Sequence, residues 1–122
     1  MKMTFIEMTW FTKRLKSRLE DAEYQAFQQE LLVNPELGDV MPGCGGLRKA
    51  RWAEAGRGKG KRSGVRIIYL AIPEAKRIDL FDIYGKDEKD DLSAQEKGEL
   101  AAMVKEVKKQ AIAAYKRSRG EK

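Results

Sequence analysis

Histidine is absent from this 122-residue chain, and cysteine occurs once, as Cys44. Without an imidazole and with a single thiol, several chemistries fall away: a zinc site built on His and Cys, a Ser-His-Asp triad, a Cys-His pair and a paired-histidine ribonuclease centre. An internal disulfide is excluded as well. Any reaction would have to be carried by Lys, Arg, Tyr or carboxylates, and neither a metal nor a cofactor is expected. Long apolar runs are also missing. The opening segment MKMTFIEM has no extended apolar stretch behind its lysine, so neither a secretory signal nor a membrane span is expected, and the cytoplasm is the expected location. Acids are scarce in one place. Between Leu47 and Tyr69 a single acid, Glu54, stands among eight Lys or Arg residues, a local balance of +7 in a chain whose net charge is +6. The remainder is close to neutral. Charge gathered in this way marks a polyanion site more than a solubility device. The stretch also carries Trp52, Tyr69 and four glycines, a mixture suited to phosphate neutralisation with base stacking.

The length suits one core, so a single domain over residues 1–122 is expected. Residues 3–8 form a short apolar run fit for a strand. Thr9 is placed to cap a helix in which Phe11, Leu15 and Leu19 recur at steps of four. A second helix is expected from about Glu20, with Tyr24, Phe27 and Leu31 as its buried stripe, and Asn34-Pro35 stops it. Residues 35–46 read as a loop, crowded with glycine and proline. Strands are expected over residues 47–53, 65–72 and 78–84. A basic glycine loop joins the first two and Pro73-Glu74-Ala75-Lys76 turns between the others, and connections this short require antiparallel pairing. A last helix begins at Ser93, with Glu96 completing a capping box and Leu100, Val104, Val107, Ala111 and Ala114 as its stripe. Residues 117–122 are expected to fray. The expected class is α+β, a small twisted antiparallel sheet with helices packed on one face.

Alternation puts Lys49 and Arg51 on one side of the first of these three strands, with Ala50 and Trp52 on the other. In the second, Arg66 shares a side with Ile68 and Leu70. An arginine inside GVRIIYLAI has to find an acid or an exposed groove, because an unpaired guanidinium is costly to bury. The plain alternative is an ion pair with Asp79 or Asp82. If the strands pair in sequence order, Lys49, Arg51, Arg66 and the phenol of Tyr84 meet on one open face. The plain alternative for Tyr84 is a strand-end tyrosine with its hydroxyl in water. The loop cations Lys59, Lys61 and Arg62 suit a hairpin tip that grips a nucleic-acid backbone. Cys44, with no histidine to activate it, is expected to be passive. The lysines of the last helix read as a solvated face.

Four segments in this order, NPELGDV at 34–40, PGCGGLRKARW at 42–52, GKGKRSGVRIIY at 58–69 and IYGKDEKDDL at 83–92, resemble the RelE/HigB family of toxins from type II toxin-antitoxin systems, most closely the HigB branch. The resemblance implies the RelE-like toxin fold and a metal-independent endoribonuclease that cuts messenger RNA in the ribosomal A site. A cognate helix-turn-helix antitoxin would hold it inactive. It also implies that Lys49, Arg66 and Tyr84 are catalytic and that Arg51 and Lys86 bind the substrate, beside the loop cations Lys59, Lys61 and Arg62 already read as substrate-binding. Arg51 stands where some relatives place a lysine, and its role is therefore confined to charge stabilisation. Two rival readings remain: a ParE-type toxin that inhibits gyrase, and a non-catalytic RNA- or ribosome-binding module.

Overall fold

The computed structural model describes residues 2–52, 64–85 and 92–120. They form β1 (Thr4–Glu7), α1 (Thr9–Arg18), α2 (Asp21–Val33), β2 (Asp39–Val40), β3 (Arg48–Trp52), β4 (Val65–Ile72), a 3-10 turn (Pro73–Ala75), β5 (Arg77–Gly85) and α3 (Ala94–Ser118). The α+β class and the order strand, two helices, three antiparallel strands, helix are as expected, with the two-residue β2 added. Strand order in the sheet is β1-β5-β4-β3-β2. The pairs β2/β3, β3/β4 and β4/β5 are antiparallel, whereas β1 lies parallel to β5, so the sheet is mixed and not wholly antiparallel. The turn at Pro73–Ala75 dictates the antiparallel direction of β4 and β5. No short turn joins β1 to β5, so their relative direction is free of that rule.

The helices also depart from the expectation that they share one face. Phe11 of α1 and Phe27 and Leu31 of α2 pack on Ala50, Ile67, Tyr69 and Leu80. Val104 and Ala111 of α3 pack with Leu70 and Ile72, in a second cluster on the opposite side. The cause lies in β4, whose apolar side chains occupy both parities. A strand apolar on both sides needs a cover on both sides.

The helix ends follow local chemistry. At α3, Ser93 Oγ accepts from the Glu96 amide at 3.1 Å and the Ser93 amide donates to Glu96 Oε1 at 2.9 Å, which is the expected capping box. Thr9 does not cap α1. It is the first helical residue, behind Met8, which supplies no side-chain bond. In the α3 stripe Ala114 is exposed and Tyr115 packs in its place. That helix runs through Ser118, so residues 117 and 118 are helical, and 121–122 lie outside the described residues. No helix among the described residues is long and apolar enough to cross a membrane.

Candidate nucleic-acid interface

Because Ala50 and Trp52 belong to the core beneath α1 and α2, alternation along β3 sets Lys49 and Arg51 on the opposite face. The same holds in β4, where Val65, Ile67 and Tyr69 enter that core and Arg66 and Ile68 face away. The register then aligns the charges. Arg51 stands opposite Arg66 and Arg66 opposite Tyr84, one row across β3, β4 and β5. Lys49, Ile68 and Asp82 form the next row. Directly opposed positions lie about 5 Å apart, a spacing at which two side chains can share one phosphate.

Of the residues expected to act together, the structure therefore brings Lys49, Arg51, Arg66 and Tyr84 onto one face. Arg51 is exposed, Lys49 and Arg66 are half-buried, and Tyr84 is only 6% exposed. That burial overturns the picture of a strand-end phenol standing in water. Lys59, Lys61, Arg62 and Lys86 lie outside the described residues.

Arg66 is paired with neither Asp79 nor Asp82. Asp79 is fully buried and is gripped by its own strand neighbour Arg77, with Nε to Oδ1 at 2.6 Å and Nη2 to Oδ2 at 2.9 Å. The hydrogen bond to Asp79 holds the Arg77 guanidinium above its ordinary range. Asp82 Oδ1 accepts from Arg14 Nη1 at 3.0 Å and from the Ile83 amide at 2.9 Å. Both acids are thus engaged by other groups. Arg66 Nη1 is buried and, among the described residues, has no hydrogen-bond partner. A buried donor left unmade is costly, and an acceptor that reached this nitrogen would relieve that cost.

The described residues line two clefts along this face. The smaller, about 200 Å³, is bounded by Lys49, Arg51 and the β2 segment with Asp39. The larger, about 290 Å³, is walled by Ile68, Phe81, Asp82 and Tyr84 of the sheet, by Trp10 and Arg14 of α1, and by Leu100 of α3. Sequence reasoning missed Trp10, Arg14 and Asp39. A signal existed for the first two. Phe11 and Leu15 form the core stripe of α1, and Trp10 and Arg14 repeat the same four-residue step one position earlier, an aromatic and a cation on the flank of the helix. Cys44 is 1% exposed in the α3 core, with its thiol 3.6 Å from the Pro42 carbonyl. No protein-family model matches the chain.

Proposed function

We propose that this protein is a ribosome-dependent messenger endoribonuclease of the RelE/HigB type, the toxin half of a type II toxin-antitoxin pair. The observation that carries the reading is Arg66, a guanidinium with an unpartnered buried nitrogen in one row with Arg51 and Tyr84 and next to Lys49. Such a group is matched to a phosphate oxygen.

The reaction is internal transesterification. The ribose 2′-oxygen attacks the adjacent phosphorus, the bond to the 5′-oxygen breaks, and a 2′,3′-cyclic phosphate and a 5′-hydroxyl result. Negative charge grows on the phosphorane oxygens, where Arg66 and Arg51 stabilise it. Lys49 takes the 2′-proton and Tyr84 orients the flanking nucleotide or returns a proton to the leaving oxygen. The substrate is messenger in the ribosomal A site, so ribosomal RNA is the second partner. A helix-turn-helix antitoxin that lays an acidic segment on the cationic face would silence it.

The test is controlled expression in bacteria with primer extension on a translated message. Arg66→Ala should lower cleavage by about 100-fold or more while its thermal melt stays within a few degrees of the natural chain. Equal cleavage by the two proteins would sink the assignment. A second reading, a binder that does not cut, is favoured by the burial of Tyr84, which suits an anchoring role better than proton transfer. Product mapping separates the two, because a binder leaves the message intact.

A further inference from the structure

The larger cleft adjoins the cationic row and shares Tyr84 with it as a wall. We propose that this cleft is a nucleobase subsite: it takes the base of the nucleotide next to the phosphate held at Arg66, and it prefers bases with an exocyclic amine, adenine, guanine or cytosine, over uracil. The inference rests on reading the row as a phosphate site.

Size comes first. At about 290 Å³ the cleft stands at the small end of ligand sites, which begin near roughly 300 Å³. That is room for one flat ring system and little more. Ile68 and Phe81 give apolar walls, and Trp10, 44% exposed, stands at the rim. A large indole left open beside a cleft of this shape is a stacking platform, and every base has a face for it.

Discrimination comes from Asp82. Its Oδ1 is saturated by Arg14 and the Ile83 amide, whereas its Oδ2 has no bond partner among the described residues. A fixed carboxylate oxygen accepts from an exocyclic amine such as cytosine N4, adenine N6 or guanine N2. Uracil has no amine, and its single ring N–H lies between two carbonyl oxygens that a carboxylate repels. Arg14 holds Asp82 in place and adds a planar cation at the rim. Charge complementarity supports this occupant over an apolar peptide, because the Lys49, Arg51 and Arg66 side of the cleft calls for the phosphate that a nucleotide brings with it. The bland account of Arg14 and Asp82 is a surface ion pair of little consequence, with side chains 50% and 32% exposed.

Equilibrium dialysis of the full chain with the four ribonucleoside 3′-monophosphates decides between them. The natural protein should hold the adenine, guanine and cytosine nucleotides about fivefold more tightly than the uracil nucleotide. Asp82→Ala should level the four, and Trp10→Ala should weaken all of them alike. Both residues are partly exposed, so each variant should fold, and a thermal melt checks that it does. Binding without base preference, binding indifferent to Trp10→Ala, or no nucleotide binding at all would each overturn the proposal; the last is what a cleft built for a protein segment would give. Failure of the nuclease reading looks different, since it is intact messenger in the primer-extension experiment while the dialysis preference persists.

Discussion

Tyr69 is fully buried against Phe27, with ring centroids 6.4 Å apart, yet its hydroxyl is used twice. It donates to the Pro35 carbonyl at 2.8 Å and accepts from the Gly38 amide at 2.8 Å, tying the chain after α2 to the centre of the sheet. Tyr69→Phe would strand both backbone groups, and a loss of about 1–3 kcal/mol is expected in urea denaturation with an unchanged slope. Arg66 shows how far a single residue was legible. Its direction followed from parity, because an arginine in a strand with Val65, Ile67 and Tyr69 turned inward has to point outward. That neither nearby acid reaches it did not follow. Asp79 and Asp82 both lie on the neighbouring strand, but Asp79 stands five residues along from Tyr84, the residue opposite Arg66, and is held by Arg77, while Asp82 is held by Arg14.

At the scale of elements, β2 illustrates what a sequence conceals. Two residues, Asp39 and Val40, carry no pattern, and their strand exists because Gly38 lets the chain press onto β3. A Cβ at Gly38 would meet the Lys49 carbonyl carbon at 2.8 Å and the Ala50 amide nitrogen at 2.9 Å. Gly38→Ala should therefore push β2 away from Lys49. The expected result is a stability loss of about 1–3 kcal/mol and faster hydrogen exchange at the amides shared by β2 and β3, with protection of β5 unchanged. By contrast α3 was legible at its start, since Ser93 and Glu96 leave little choice of first turn. Its far end was not, because the drift of a helix past a twisted sheet brings Tyr115 inward where strict spacing would have chosen Ala114. The placement of α3 on the second face was also missed, although the apolar residues at both parities of β4 had announced it.

At the scale of the whole molecule, Glu7 acts as a hub. It accepts from Thr12 Oγ1 at 2.6 Å and from the Tyr24 hydroxyl at 2.6 Å, joining β1, α1 and α2. Burial, and after it the Glu7 carboxylate, pushes the Tyr24 phenol well above its ordinary value of 10.0, and burial raises Tyr69 as well. Both phenols are thus harder to ionise folded than unfolded. Below about pH 10 their contribution to stability is fully present. As pH climbs beyond that the unfolded chain loses protons first, so stability falls and continues to fall until the folded phenols titrate. Denaturation midpoints followed from about pH 9 to about pH 11 should decline more steeply in the natural chain than in Tyr24→Phe; parallel declines would show that Tyr24 is not responsible.

The parallel seat of β1 beside β5 has a consequence for the order of synthesis. Strand β1 is translated well before its partner, which spans Arg77–Gly85, and the ladder between them cannot zip until that stretch has cleared the exit tunnel. Tyr84 arrives in the same stretch and is the last member of its row to be made. A nascent chain that still lacks this stretch therefore has neither the complete sheet nor the complete row across it, and the two come into being together.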